Sequence, residues 1–285
     1  MLALFWATLY SATPLVLAAM GGVFSERSGV VNIALEGLVL TGAFVGVWAG
    51  QGSALVGLAA AIAAGALMGL LHAYLTQNMR MNHVVSGLGI NLLAAGTTRY
   101  LALRLFPSEG VRIAGLSPQL FLILAAIMPF ITAFLLQRTR FGLRLRASGE
   151  NSESVRMAGL SPVPSRYAGV VLSGVLAALA GAELSMADAH TFSSNMSAGK
   201  GYIALAAVIF GKWSPLGAAL GALFFGFFYA VQTQMQISGV HLNALGIEWN
   251  SPFVLDCVPY LMTIAALVTV VGRSTPPAAL GEEEQ

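Results

Sequence analysis

At 285 residues, 57% of them hydrophobic and only 9% charged, with a mean hydropathy of +0.78, the chain lacks the roughly one-quarter charged residues that let a soluble domain face water. Its surroundings must be lipid, and it is an integral membrane protein. A net charge of +2, with the basic residues gathered in one stretch, gives no reason to expect a nucleic-acid partner. The single cysteine, Cys257, excludes an internal disulfide and reads as a small core residue.

A helix needs about 20 apolar residues to cross the hydrocarbon core. In chain order the apolar runs predict spans over 3–22, 33–50, 54–75, 84–105, 118–137, 166–187, a short 202–211, 215–235 and 255–272. The first has no basic region ahead of it, so it reads as a retained helix and not a cleaved signal. Between the first two spans, Glu26, Arg27, Asn32 and Glu36 interrupt the lipid-like sequence. Such groups are costly in a bilayer unless paired or facing a wet cavity. For Glu26 and Arg27 a solvated loop is an equal alternative. Asn32 and Glu36 run straight into the next apolar stretch, which favours a solute path or a subunit contact. Small-residue pairs Gly42 with Gly46, Gly65 with Gly69, and Gly217 with Gly221 predict close helix packing.

After the fifth span come Arg138, Arg140, Arg144, Arg146, Arg156 and Arg166, which marks that segment as cytoplasmic. Alternating the spans from there also puts Arg27, Arg80, Lys212 and Arg273 inside, and leaves Arg99, Arg104, Arg112 and Lys200 outside or near the outer face. The amino terminus is then outside and the carboxyl terminus inside, unless 202–211 is re-entrant. Within the cytoplasmic segment, Asn151 or Ser152 can cap a short helix with Glu153 in its first turn. That helix would run to Ala158, end at a left-handed Gly159, and be kept from continuing by Pro162 and Pro164. The expected fold is therefore all-α: a polytopic membrane bundle of eight or nine transmembrane helices, with one short or re-entrant helix and one short helix flat at the cytoplasmic surface. Residues 1–273 form the transmembrane domain, with the cytoplasmic segment at about 140–166, and 274–285 form an acidic tail expected to be disordered.

Neutral polar groups inside the spans suit an uncharged hydroxylated ring. The candidates for the solute pathway are Asn32 and Glu36, which share a helix face, Ser86 and Asn91 in the fourth span, Glu183 in the sixth and Asn195 after it. Asn91 and Glu183 can equally serve as bridges between helices. His72, His83, His190 and His241 lack the spacing of a metal pair, so no metal site is expected. No phosphate-binding loop is present, because Gly211-Lys212 is followed by Trp213 and Gly199-Lys200 by Gly201. The chain is therefore not expected to hydrolyse ATP, and no catalytic constellation marks it as an enzyme.

Three motifs carry a family resemblance. The run Gly142-Leu143-Arg144-Leu145-Arg146-Ala147-Ser148-Gly149-Glu150-Asn151 onward to Gly159-Leu160 resembles the cytoplasmic coupling segment of permease subunits in bacterial ABC importers of ribose-type sugars, nucleosides and branched-chain amino acids. Leu145, Arg146, Ala147, Gly149, Asn151 and Gly159 carry the match, while Ser154 and Val155 stand where small alanines are usual. The stretch from Glu26 to Gly37 is similar to the branch often assigned to nucleosides, with Ala34 in place of a glycine. Gly199 to Ala206, followed by Gly211 to Gly217, resembles a third element of the same group.

The resemblance implies a permease of the bacterial cytoplasmic membrane working by alternating access. It would be powered by a separate ATPase that uses ATP and magnesium and docks on residues 148–161. Arg146, Gly149, Glu150, Asn151, Glu153, Arg156 and Gly159 would carry the coupling. The chain itself would bind no cofactor. Its other partners would be a second permease subunit, most often a different chain, and an extracytoplasmic solute-binding protein. Simple sugars and branched-chain amino acids are the alternative solutes, the latter through a helix amino terminus at mid-membrane near Gly199. From other classes, an ATP-independent secondary transporter would require internal repeats and paired broken helices, and no repeat is evident in the sequence.

Overall fold

The computed structural model describes residues 2–106, 111–238, 243–244, 247–248, 261, 264 and 275–282. The helices are α1 (Leu2–Arg27), α2 (Leu35–Ala49), α3 (Ala54–Gln77), α4 (His83–Leu105), α5 (Pro118–Arg138), α6 (Arg140–Glu150), α7 (Ser152–Met157), α8 (Val163–Ala182), α9 (Lys200–Phe210) and α10 (Pro215–Ser238). A π-helical turn, Glu183–Asp188, extends α8, and Asn243–Ala244 pairs antiparallel with Ile247–Glu248. Five helices among the described residues are long and apolar enough to cross a membrane: Leu2–Arg27, Ala54–Gln77, Pro118–Arg138, Val163–Asp188 and Pro215–Ile237. The run 255–272, with Cys257, lies outside the described residues.

Local chemistry sets the helix ends. Asn82 caps α4 by accepting the N–H of Val84 at 3.0 Å and of Val85 at 3.3 Å, and Pro118 opens α5 where a missing N–H costs nothing. The same tolerance lets α8 start at Val163, ahead of the expected 166, with Pro164 inside its first turn. Helix α1 runs through Arg27, past the expected end at 22, because its last polar residues find partners. Glu26, 3% exposed, accepts the indole N–H of Trp213. Arg27 donates to the Trp213 carbonyl at 3.1 Å and pairs with Glu150 at 3.2 Å. The solvated-loop alternative is therefore wrong for Glu26, which is buried in a helix.

Helix α6 was not foreseen. Its buried positions Gly142, Leu145, Ser148 and Gly149 fall at helical spacing, with arginines on the other faces. The acidic tail also departs from expectation over residues 275–282. There the N–H of Ala279 bonds the Gly149 carbonyl and the N–H of Gly281 bonds the Gly29 carbonyl, each at 2.9 Å, and Ala279 is buried. Two otherwise open backbone acceptors hold that stretch in place.

Helices α1 and α8 run antiparallel and cross where Gly21 meets the backbone of Ser173. The small-residue pairs sit at contacts of this kind: a Cβ at Gly42 would strike the backbone of Ala178, one at Gly65 the carbonyl of Gly174, and one at Gly221 the backbone of Ala207. Each of α1 and α8 is followed by a break, a short helix and a long helix that packs on the opposite partner. Thus α3 lies along α8 through Gly65 and Gly174, and α10 lies along α1 through Gly226 and Ala12. The order α1–α2–α3 is answered by α8–α9–α10 in the opposite direction, an inverted arrangement that the sequence conceals. The repeat and broken helices expected only of an ATP-independent transporter are therefore present here and do not separate that class from an ATP-driven permease.

The short helices sit at the middle of this arrangement. With 15 and 11 residues, α2 and α9 measure about 22 and 16 Å, short of the roughly 30 Å of a hydrocarbon core. Their amino termini meet. Helix α2 leaves the junction toward Gly50, which packs beside Met186, and α9 leaves it toward Trp213 and the Arg27 end. Residues 189–199 and α9 thus return the chain to the Arg27 end together, where residues 275–282 also lie.

Candidate functional site

The junction is built from polar groups that satisfy two helix ends. Glu36, in the first turn of α2, accepts the Ser197 hydroxyl at 2.6 Å and the N–H of Gly199 at 2.8 Å on one oxygen, and the N–H of Gly201 at 2.7 Å on the other. A carboxylate is the natural partner for such donors, since a helix amino terminus carries open N–H groups and a partial positive charge. Asn91, on α4, does the reciprocal service for α2. Its carbonyl accepts the N–H of Gly37 at 2.7 Å, while its amide donates to the Ile33 carbonyl and the Tyr202 hydroxyl, both at 2.9 Å.

The break between α1 and α2 is held by two histidines. The N–H of Val31 donates to Nδ1 of His83 at 3.3 Å, and its carbonyl lies 3.1 Å from Nε2 of His72. A carbonyl can only accept, so Nε2 of His72 carries the proton and Nδ1 accepts from the Ser86 hydroxyl at 2.9 Å. Asn32, fully buried, donates to the Ser173 hydroxyl at 2.8 Å, and its own carbonyl oxygen has no partner. Asn32, Glu36, Ser86 and Asn91 are thus brought to one place. The hydrogen bonds of Glu36, Ser86 and Asn91 fasten helix ends there.

Glu183 lies elsewhere. It lines a cavity of about 440 Å³ together with Tyr10 and Ser11 of α1, Asp188, Lys200 at the start of α9, and Tyr229 of α10. Glu183 is 4% exposed, and its buried Oε2 has no partner. Nζ of Lys200 sits 5.4 Å from the centre of the Tyr229 ring, a cation–π distance. Lys200 is half-buried at the start of α9, where it lines this cavity. It also stands where the helix dipole disfavours a cation, with acidic groups around it. No ion pair joins Lys200 to Glu183, so the two share the cavity unpaired with each other. Asn195 is exposed in the turn before α9 and does not line the cavity. Sequence reasoning missed Lys200, Tyr10 and Tyr229. A lysine two residues ahead of an aromatic in an apolar run was the available signal for the first.

At the Arg27 end, Asn151 caps α7 by accepting the N–H of Ser154 at 2.8 Å, and Gly159 follows with a positive φ of 74°, as the turn chemistry predicts. The guanidinium of Arg166, 1% exposed, ties α7 to the bundle through the Ser152 hydroxyl at 2.7 Å and Gln77 at 3.3 Å. Glu150, Asn151, Glu153, Arg156 and Arg166 line a wide cavity of about 1,110 Å³ that Ala278, Ala279, Gly281 and Glu282 also border. Arg146 lies on α6, half-buried, and Gly149 packs against the Arg27 carbonyl. Among the described residues, no group of three or more metal-binding side chains gathers.

These features define a polytopic helical membrane protein with paired broken helices and an ordered polar surface at one end. Residues 4–267 match the family model described as the permease component of a branched-chain amino acid transport system, and the chain belongs to that family. It is 39% identical to the guanosine ABC transporter permease protein NupQ of Bacillus subtilis, over 96% of this chain and 94% of the relative. It is 37% identical to the nucleoside ABC transporter permease protein NupC of Lactococcus lactis, over 96% and 93%. It is 33% identical to a putative glucose ABC transporter permease protein, TsgC13, of Haloferax volcanii, over 94% and 91%. No solved structure matches the chain.

Proposed function

We propose that this chain is the membrane-spanning permease subunit of an ATP-driven importer of nucleosides in the bacterial cytoplasmic membrane. The observation that carries the solute is the near full-length similarity to two permeases named for guanosine and nucleosides, each closer than the one named for glucose. Helix α4, 23 residues long, is absent from the five candidate spans and carries Asn91, Arg99 and Arg104. We count it as a span, together with 255–272, so that with the two short helices the bundle reaches eight or nine crossings within a domain of residues 1–273. The arginine-rich Arg27 end is then cytoplasmic.

On this reading α7 is the coupling helix. A separate ATPase, using ATP and magnesium, docks over Arg146, Gly149, Glu150, Asn151, Glu153, Arg156 and Gly159, and its closure is passed through Arg166 into α3 and α8. A second permease subunit and an extracytoplasmic binding protein complete the importer. Glu36, Ser86 and Asn91 support the pathway by holding the short helices, Asn32 ties the break before α2 to α8, and Glu183 faces the solute. The test is uptake of radiolabelled nucleosides by cells with and without the gene, with unlabelled ribose and leucine as competitors. Loss of uptake on deletion, restored by the wild type and resistant to both competitors, is expected. Unchanged nucleoside uptake, with loss of sugar or leucine uptake instead, would overturn the choice of solute.

A further inference from the structure

We propose that the groove between α6 and α7 binds an anionic phospholipid from the leaflet in which α5 ends. The phosphate sits on Arg140 and Arg144, and an acyl chain runs over the apolar floor. This surface is separate from the solute pathway and would serve a permease for any solute.

The groove opens at a corner where headgroups lie. Helix α5 is long and apolar enough to span the membrane and closes at Arg138, and α6 begins at Arg140. The exposed face of α5 carries Ile127, Phe130, Ile131 and Phe134, and exposed Arg138 follows Phe134 one turn on. An apolar face that ends in a basic residue is what a lipid-facing helix shows at the headgroup boundary.

The groove encloses about 460 Å³, within the range of small-molecule sites, about 300–1,000 Å³. Arg140 and Arg144 line it from α6, one turn apart, about 6 Å along the axis. Two guanidiniums at that spacing can grip one phosphate through several charge-assisted hydrogen bonds. Neither forms an ion pair among the described residues, and no acidic side chain lines the groove. The complement to this surface is an anion.

The floor narrows the choice of anion. It is made of Leu143, Ala147, Val155, Ala158 and Leu160, with Leu143 62% and Leu160 41% exposed. Leucines open beside arginines are the pattern of a helix seated between headgroups and acyl chains. An acidic protein segment would meet the arginines and leave this floor wet, whereas a phospholipid covers both. The groove also differs from the ATPase-docking cavity proposed above. That cavity takes Ser152, Glu153 and Arg156 from α7, and the groove takes Ser154 and Val155.

The test titrates the full chain, purified in detergent, with phosphatidylglycerol or phosphatidylcholine of the same chains, and counts bound lipid by native mass spectrometry. The wild type should bind phosphatidylglycerol about ten-fold or more tighter than phosphatidylcholine. Arg140→Gln with Arg144→Gln should erase that preference. Arg99→Gln with Arg104→Gln, which removes the same charge elsewhere, should keep it. All four arginines are exposed and glutamine suits a helix about as well, so both double variants should fold. Glycerol phosphate in excess, which has the charge and no chain, should fail to compete. Equal binding of the two lipids by the wild type, an equal loss in both arginine pairs, or displacement by glycerol phosphate would overturn the lipid site. Loss of the ATPase from the purified importer in Arg140→Gln with Arg144→Gln, with the lipid preference intact, would assign the groove to the ATPase instead.

Discussion

Glu36 on α2 and Gly201 on α9 meet backbone to carboxylate at 2.7 Å, and a side chain at residue 201 would run into the backbone of Leu35 and Glu36. The two short helices point their positive ends at each other, and one carboxylate lies between them. Removing that carboxylate leaves three donors, from Ser197, Gly199 and Gly201, without an acceptor, two of them buried. Glu36→Leu is expected to cost about 3 kcal/mol or more, read as a lower unfolding temperature of the purified protein in detergent. Glu36→Gln, which keeps one acceptor oxygen, should lose less. Equal stability of Glu36→Leu and the wild type would show that the junction is not held by this residue.

Close approach of α3 and α8 gives a second expectation. A Cβ at Gly65 would overlap the carbonyl of Gly174, whereas one at Gly52 meets nothing within 4 Å. Gly65→Ala should destabilise the protein by about 1–3 kcal/mol, and Gly52→Ala should be silent. The comparison is made by thermal unfolding of both variants side by side.

Asn151 caps α7 through the Ser154 N–H. Asn151→Ala is expected to weaken that six-residue helix by about 1 kcal/mol and to lower uptake while the amount of permease in the membrane stays unchanged. Asn151→Asp, which retains an accepting oxygen, should restore most of the uptake. Failure of Asp to rescue would mean that Asn151 acts by some route other than the cap.

The carboxyl-terminal segment should matter to the same surface. Ala279 and Gly281 hold the carbonyls of Gly149 and Gly29. A chain ended after residue 274 is therefore expected to insert normally and to show faster backbone hydrogen exchange around residues 28–31 and 148–152. Unaltered exchange there would show that the segment contributes nothing to the junction.

The Arg27–Glu150 pair is a contrasting case. Both side chains are partly solvated, at 26% and 52% exposure, so a double-mutant cycle with alanine should return a coupling of only about 0.2–1 kcal/mol. A larger value would mean that the pair is shielded in the assembled protein.

Composition alone determined that this chain lives in a membrane, because 9% charged residues cannot cover a soluble surface. Local chemistry determined α7 just as directly, since a cap at Asn151, a left-handed Gly159 and the prolines after it act over a few bonds. The contacts of Gly42, Gly65 and Gly221 were legible for the same reason: a missing side chain predicts a close neighbour without naming it. The capping role of Glu36 was not legible, and for Asn91 the sequence left a bridge between helices and a solute contact equally open. Their partners lie 163 and 54 residues away in sequence, and only the meeting of two helix ends turns polar residues that looked free for solute into caps. The inverted order of α1–α2–α3 and α8–α9–α10 was hidden likewise, because packing constrains shape and leaves the identities of apolar residues open. The tertiary structure also set Glu183, Lys200 and Tyr229 around one cavity. Each reads in sequence as an isolated polar or aromatic residue in an apolar helix, and only the packing of three helices brings them around the same space.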